Sequence, residues 1–395
     1  MIKAASLFTQ EIDNISLACS QIKKQLDNKL SLLRSTVGIV QCSPEFIENG
    51  MLERLYRELN IPLAGGTTAA SATNDAVSNL MFSVLVLTSD DVEFVVSHTE
   101  GFENNCMDSV NRSLKEMLLK SGQLSQEPLK MVLVFPPIID TVAGDSYIEV
   151  IEGVYGKVPV FGTLSVDDSL DNYDHSASIC NDRFFKREMT YVLLFGNVTP
   201  RFSIATVPRQ AGLGELDAVI TKASGNIVYE INNMRTIDYF ESIGLAGTGK
   251  LKGGSHLIPL LMTAADRKDE IPFVRALIRI NDDGSALLRG KVNEGTRVAF
   301  GSTLGSDVMS STCKTITGLG REKNTSAALF FSCIVRQFVI GADSTRELAQ
   351  VKDLLAPDIP FMAACAGGEI APTSVDSENT AQNRFHNYSF ITCLL

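Results

Sequence analysis

The stretch IPLAGGTTA, residues 61–69, decides the fold of this chain, because two later stretches repeat its plan. VPVFGTLSV (158–166) and IPFMAACAGGE (359–369) are also short apolar strands that open at a proline and break at small residues. In each copy an apolar first strand precedes this second strand and another apolar run follows it: VGIV and MFSVLVL, MVLVF and TYVLLF, then ALFFSC and YSFITCLL. A unit that repeats its strand order usually repeats its fold.

A helix is predicted between the first and second strands of every copy, since apolar residues recur there at helical spacing, as in residues 52–59. SYIE (146–149) and STRE (344–347) have the spacing of capping boxes. A strand–helix–strand connection favours a parallel pair, whereas the last strand follows a loop and can be antiparallel. The sequence therefore predicts an α/β fold of repeated strand–helix–strand–strand units, with mixed sheets flanked by helices.

Helical spacing predicts two further helices, over residues 10–28 and 106–120. A dissimilar segment, residues 200–325, contains a helix-like stretch at 231–244 and the glycine-rich run LAGTGKLKGG, expected as a mobile surface loop. It continues with the alternating strands PFVRALIRI, SALLRG and TRVAFG, of which the first two flank the hairpin signal NDDG. We place a boundary near residue 198, which predicts two domains, 1–198 and 199–395.

The composition argues against several functions. The chain has 395 residues, of which 45% are hydrophobic, and a formal net charge of −11. Nucleic acids and anionic membranes attract basic surfaces, so neither is expected as a partner. No run of about twenty apolar residues indicates a membrane span, and no secretory signal is evident, so a cytoplasmic location is expected. The eight cysteines form no CxxC motif, which favours buried thiols.

The small residues that end the second strands are the first candidates for ligand contacts, because α/β folds place ligands at the carboxyl ends of their strands. Glycine permits close approach of a ligand or of a second backbone, and threonine offers a hydroxyl. The candidates are Gly65, Gly66, Thr67, Thr68, Gly162 and Thr163. The spacing of a phosphate-binding loop is absent, so nucleotide binding is not predicted.

Arg336 emerges at the end of the apolar strand FSCIVR. A buried guanidinium needs a carboxylate, a carbonyl or a ligand anion. Two alternatives stay open: a structural pair with Glu369 in the GGEI loop, or contact with a small anion or zwitterion. Arg275 is a second arginine at an apolar strand, and an amino acid would suit one arginine for its carboxylate and one carboxylate for its amine.

Haem binding and cysteine catalysis are the remaining alternatives. No cofactor is expected from spacing motifs, since the four histidines form no local metal motif, but a single axial haem ligand needs no such motif. His386, next to Asn387 near the expected cleft, is the first candidate for that ligand. Cys333 and Cys365 also lie near this cleft, although no catalytic constellation stands out.

The order of these motifs resembles the FIST family, named for F-box and intracellular signal transduction proteins. From about residue 36 onward the resemblance is carried by GGTTA, VFGTLSVDDS, PFVRALIRINDDGS, FSCIVR, GGEIAP and FHN. It implies a FIST N-terminal domain followed by a FIST C-terminal domain, which form a cytosolic sensory module for small ligands such as amino acids. It further implies a signalling partner: a histidine kinase, a chemoreceptor or a cyclic-dinucleotide enzyme. Some bacterial members are haem proteins that sense nitric oxide, and eukaryotic F-box members recruit substrates for ubiquitination.

The leading hypothesis is a non-catalytic sensor that binds a small ligand in a cleft and signals through a separate partner protein. An F-box is not expected in the residues before Thr36, and neither a kinase nor a cyclase domain is expected. The alternatives are a haem-based nitric oxide sensor that acts on a histidine kinase, and an enzyme that uses Cys333 or Cys365. The candidate ligand-binding residues are Gly65, Gly66, Thr67, Thr68, Gly162, Thr163, Arg275, Arg336, Gly368, Glu369 and Asn387.

Overall fold

The computed structural model describes the chain except residues 102–106, 140–141, 170–172, 211–217, 246–257, 264–271, 320–324, 342 and 344. The glycine-rich run predicted as a mobile loop lies almost wholly outside the described residues.

The described chain contains three repeats of one strand–helix plan. Repeat one consists of β1 (Lys3–Thr9), α1 (Ile15–Lys29), β2 (Ser35–Cys42), α2 (Glu45–Glu48), α3 (Met51–Leu59), β3 (Leu63–Thr67), β4 (Ser71–Thr73), β5 (Val77–Ser78) and β6 (Phe82–Ser89). Repeat two consists of β7 (Val92–His98), α4 (Asp108–Leu124), β8 (Leu129–Phe135), α5 (Gly144–Tyr155), β9 (Val160–Thr163), β10 (Ser178–Cys180), β11 (Arg183–Phe185) and β12 (Thr190–Gly196).

Repeat three is interrupted after its first strand, β13 (Arg201–Ala205), by an inserted sheet. The insertion holds β14 (Ala218–Ser224), β15 (Ile227–Ile231), β16 (Met234–Arg235), α6 (Thr236–Ser242), β17 (Pro259–Thr263), β18 (Phe273–Ile280), β19 (Ala286–Leu288) and β20 (Arg297–Phe300). The repeat resumes with α7 (Gly305–Leu319), β21 (Ala328–Cys333), α8 (Ile334–Ile340), α9 (Arg346–Leu354), β22 (Phe361–Ala366), β23 (Glu369–Val375), β24 (Ala381–His386) and β25 (Phe390–Leu394).

Each repeat builds a mixed sheet with the same strand order. The first and second predicted strands pair in parallel, as β2–β3, β8–β9 and β21–β22. The final strand of each repeat runs antiparallel, as β6, β12 and β25. Both findings confirm the predicted α/β class and the mixed sheets.

Each of the three repeat sheets is extended by a hairpin from a different repeat. Strand β10 of repeat two pairs with β3 of repeat one, β23 of repeat three pairs with β9 of repeat two, and β4 of repeat one pairs with β22 of repeat three. This cyclic exchange gives the three repeats a pseudo-threefold arrangement. Strands from both sides of residue 198 pair in shared sheets, and the domain division predicted there stays a prediction.

The three sheets turn one face towards a common apolar centre, which includes Ile39, Leu133 and Leu329 from equivalent positions. Their other faces are covered by helices: α1 and α3 in repeat one, α4 and α5 in repeat two, and α7 and α9 in repeat three. A further apolar cluster lies inside the inserted sheet. Because the repeats share a centre, their second strands end in one region of the molecule.

Several local predictions were wrong. Helix α1 begins at Ile15 and not at residue 10, since the Asn14 side chain accepts the Leu17 amide and caps the helix, and residues 10–14 connect it to β1. Helix α5 begins before Ser146, so SYIE is no capping box. The helix-like stretch at 231–244 yields only α6, because its first residues form the turn between β15 and β16.

Candidate functional site

The loops that follow the three second strands meet, as their small residues predicted. The Leu164 amide donates to the Gly368 carbonyl (2.9 Å), and the Gly367 amide donates to the Leu164 carbonyl (3.0 Å). The Val166 amide donates to the Thr67 carbonyl at 3.1 Å. The Thr68 hydroxyl donates to the Cys365 carbonyl at 2.9 Å. Loops from all three repeats are therefore hydrogen-bonded to one another.

The candidate glycines are packed against protein. A Cβ on Gly65 would lie 1.9 Å from the Val40 carbonyl oxygen, and one on Gly162 would lie 1.9 Å from that of Val134. A Cβ on Gly66 would lie 2.1 Å from Ser165 Oγ. These glycines thus permit the close approach of second backbones, which was the alternative to a ligand role. The same holds for three further candidates. Strands β3 and β9 end at Thr67 and Thr163, and the Gly368 carbonyl accepts the Leu164 amide.

Arg336 does not form the pair with Glu369 that was one of its two alternatives. The chain turns into α8 after Cys333, and Arg336 of that helix is fully buried against Glu347 of α9, with Nη2 2.7 Å from Oε1. Its guanidinium also donates to the carbonyls of Tyr388 (2.9 Å) and Val308 (3.2 Å). The sequence pattern assigned Glu347 to a capping box, but in the structure Glu347 is the counter-ion of Arg336.

Glu369 is buried at the start of β23, where its Oε2 accepts the Ser389 amide at 3.3 Å. Burial raises the pKa of this carboxyl well above its ordinary value, and the carboxyl lies beside the Cys333 thiol. The same desolvation raises the pKa of Cys333. A cysteine nucleophile needs the opposite shift, so these surroundings do not favour the cysteine-enzyme alternative. Burial also raises the pKa of Cys365.

Arg275 and Asn387 join the inserted sheet to the three repeats. Arg275 of β18 is 2% exposed; its Nη2 lies 2.8 Å from Asp145 Oδ1 of α5, and its Nη1 donates to the Phe385 carbonyl at 2.6 Å. Asn387 Oδ1 accepts the Ala276 amide of β18 at 3.2 Å. Both residues therefore hold β18 against repeats two and three.

A cavity of about 410 Å³, the junction cavity, opens beside Arg275 where α5, β24 and the inserted sheet meet. Its lining carries both signs of charge: the acids Asp145, Glu149 and Glu152, and the bases Arg275, Lys291 and Arg384. Lys291 and Glu149 form an ion pair across it, with side chains 36% and 60% exposed. Arg384 lies over the Phe273 ring, 4.5 Å from its centroid.

Sequence reasoning found only Arg275 of these lining residues. Glu149 was assigned to a capping box, and Lys291 follows the predicted strand SALLRG without a motif of its own. The contacts that bring them together cross three parts of the chain, so no local pattern marks them.

A second cavity, of about 360 Å³, lies at the carboxyl ends of the repeat strands and is lined in part by Thr68, Asp168 and Gln337. It is the position that the strand-end argument favoured, and Thr68 is the one predicted site residue that lines it. Its charged lining residues are Glu45 and Asp168, both acidic, so among the described residues it offers no cation to pair with a ligand carboxylate.

His386 does not fit an axial haem ligand in this structure. It is 1% exposed, its Nε2 lies 3.3 Å from the Ala371 carbonyl, and it lines neither cavity. Burial lowers its pKa to about 3, which keeps the ring neutral. Among the described residues, no group of three or more His, Cys, Asp or Glu side chains is placed to hold a metal ion. In the same part of the chain, no helix has the length and apolarity to cross a membrane.

Comparisons with known proteins place most of the chain in two adjacent family models. The FIST N domain model matches residues 36–234, and the FIST C domain model matches residues 244–372. No curated protein matches the chain. Among solved structures, the chain is similar to cyanuric acid hydrolase from A. caulinodans, at 10% identity over 100% of this chain and 99% of that one. The TM-score is 0.35, so this similarity carries no conclusion about function.

Proposed function

The chain belongs to the FIST family of signal-transduction sensory domains, and we propose that it senses a small zwitterion, such as an amino acid, in the junction cavity. In this proposal the protein is not an enzyme. It passes the signal to a separate partner protein, for which a histidine kinase, a chemoreceptor or a cyclic-dinucleotide enzyme is the expected class.

The observation that carries the proposal is the exposed ion pair between Lys291 and Glu149 in a cavity of about 410 Å³. This volume lies within the range of small-molecule sites, about 300–1,000 Å³. An exposed ion pair contributes little to stability, so a ligand can replace it at small cost. The ligand carboxylate would form an ion pair with Lys291, and the ligand ammonium group would form an ion pair with Glu149.

The buried neighbours of this pair supply a fixed wall. Asp145 binds Arg275 through Oδ1 and accepts the Lys291 amide through Oδ2 at 2.8 Å. The second contact ties the Lys291 backbone directly to α5, so the backbones that carry Lys291 and Glu149 are held at a defined separation. Preorganisation of this kind lowers the entropic cost of binding.

The position of the cavity suggests how binding becomes a signal. Glu149 belongs to repeat two, Lys291 to the inserted sheet, and the Arg384 side of the cavity to repeat three. A ligand that contacts all three favours the arrangement in which they are closest. A ligand shifts the populations of two arrangements only as far as its affinities for them differ. The partner protein would then bind the surface of the favoured arrangement.

A thermal-shift screen of free amino acids against matched variants tests the proposal. At a hundredfold excess over its Kd, a ligand stabilises the protein by about 2.7 kcal/mol, which is a visible shift. Lys291→Gln and Glu149→Gln should abolish that shift. Lys222→Gln is the control, since Lys222 is an exposed lysine of the inserted sheet, 3.9 Å from Glu230 and outside the cavity lining. No shift with any amino acid, or an undiminished shift in the two cavity variants, would contradict the proposal.

A further inference from the structure

The pseudo-threefold arrangement brings three equivalent residues to the common centre: Gln41, Phe135 and Phe331. Gln41 of β2 pairs with Gly66, and Phe331 of β21 pairs with Ala364 at the same level of its sheet. Phe135 and Phe331 pack edge to face, with ring centroids 6.3 Å apart. Repeat one therefore has a glutamine where the other two repeats have phenylalanine.

Gln41 is fully buried, and neither Nε2 nor Oε1 has a hydrogen-bond partner among the described residues. Its neighbours in β2 alternate, with Ile39 in the common centre and Val40 under the helices. Gln41 thus points to the centre and not to the helical layer. A buried amide without partners is costly, and in a folded protein it calls for an explanation such as an unseen bound molecule.

Four more buried side chains at the strand ends have an unpartnered oxygen among the described residues: Ser71, Ser165, Thr190 and Glu369. Strand pairing turns three of them towards the centre. Ser71 lies opposite Ala364, Thr190 opposite Phe135, and Glu369 opposite Thr163. The fourth, Ser165, has its Oγ against Gly66, the strand partner of Gln41.

We call Gln41, Ser71, Ser165, Thr190 and Glu369 the polar layer. We propose that the polar layer binds a small uncharged molecule that both donates and accepts hydrogen bonds. The amide of Gln41 offers two N–H donors and a carbonyl acceptor, and each of the three hydroxyls can both donate and accept. This site is separate from the junction cavity, and the proposal does not depend on the proposed function.

The charges around the layer favour an uncharged occupant. The nearby guanidinium of Arg336 is already paired with Glu347 (2.7 Å), and that of Arg275 with Asp145 (2.8 Å). Burial raises the pKa of the Glu369 carboxyl, which disfavours its charged form. An ion in the layer would be desolvated without a counter-charge, whereas a neutral hydrogen-bonding molecule would satisfy the open donors and acceptors. Such a molecule is either water or an organic compound with amide, urea or hydroxyl groups.

A high-resolution crystal structure of the full chain tests the proposal directly. The expected result is density hydrogen-bonded to both amide atoms of Gln41 and to Ser165 Oγ. Native mass spectrometry of the same sample separates the two sources, because an organic occupant adds its mass to the folded protein and water does not. A centre in which Gln41 bonds only to protein atoms would overturn the proposal.

Whether substitutions in the polar layer raise or lower the Tm of the protein gives an independent test. Ser165→Ala and Gln41→Met should lower Tm, because each removes contacts to the occupant. Thr392→Val is the control: the Thr392 hydroxyl is also buried and unpartnered, but it lies opposite Phe330 on the helical side of its sheet. That variant should leave Tm unchanged or raise it. If Ser165→Ala and Gln41→Met also raise Tm, the polar layer is empty and the proposal fails.

Discussion

Arg336 Nη2 lies 2.7 Å from Glu347 Oε1, and the two side chains are 0% and 1% exposed. The arginine therefore has its counter-ion inside the fold, between α8 and α9. Glu347 is also bonded to the hydroxyls of Ser332 and Thr312. This network locks two helices onto β21, so we assign Arg336 to stability and not to ligand binding.

The first prediction concerns this pair. Arg336→Ala leaves a buried carboxylate without its partner, which should lower the free energy of unfolding by about 3–5 kcal/mol. Urea denaturation measures the change. Arg235→Ala is the control, since Arg235 also lies 2.7 Å from its acid, Asp238, but on the surface. The control should leave the midpoint almost unchanged. An Arg336→Ala variant as stable as the wild type would refute the assignment.

The second prediction concerns the close approach of strands. Gly65→Ala places a methyl group 1.9 Å from the Val40 carbonyl oxygen, so β3 must separate from β2 and the variant should be strongly destabilised. Gly153→Ala in α5 meets no atom within 4 Å and should stabilise the protein by about 0.5–1 kcal/mol. Thermal denaturation compares the two. Equal effects would show that the glycine at residue 65 is not required by packing.

The third prediction follows from the buried carboxyl of Glu369. Its pKa is raised in the folded state above the ordinary 4.5, so the folded protein binds a proton that the unfolded chain releases. Stability from this group is present below pH 4.5 and is lost as the pH rises. Glu369→Gln should therefore gain stability relative to the wild type as the pH rises above 4.5, by up to about 1.4 kcal/mol per pH unit. Glu378→Gln, an exposed acid on the same hairpin, should show no such trend.

The fourth prediction concerns His386, whose pKa shift makes stability change with pH in the opposite direction. The pKa of His386 falls from 6.5 to about 3 in the folded state, so the unfolded chain binds the extra proton between these values. The wild type should lose stability as the pH falls from 6.5 towards 4, and His386→Gln should lose less, by up to about 1.4 kcal/mol per pH unit.

The surface residue His175 is the control for this experiment. Its pKa is raised by the hydrogen bond to Glu48, so its contribution to stability is largest below pH 6.5. His175→Gln should therefore not reduce the acid loss. Identical pH profiles for the wild type and His386→Gln would contradict the buried neutral histidine.

The sequence predicted the fold through its repeated apolar strands, and their parallel and antiparallel pairing was confirmed. It missed the hairpin exchange, because β4, β10 and β23 pair with strands far away in the chain and carry no local signal. It also gave Arg336 the wrong partner, since the Ser–Glu spacing of a capping box hid the buried Glu347. The junction cavity was missed for a similar reason: Lys291 and Glu149 meet only after the inserted sheet docks.

The central claim is that the junction cavity recognises both charges of a zwitterion. Isothermal titration calorimetry with an amino acid found in the screen tests it most directly, when the same side chain is also titrated as the amino acid amide and as the N-acetyl amino acid. The amino acid should bind, and each derivative should bind at least about tenfold more weakly, because the amide lacks the carboxylate that would pair with Lys291 and the N-acetyl derivative lacks the ammonium group that would pair with Glu149; tenfold corresponds to about 1.4 kcal/mol. Equal affinity for all three compounds, or no binding of the amino acid, would contradict the claim.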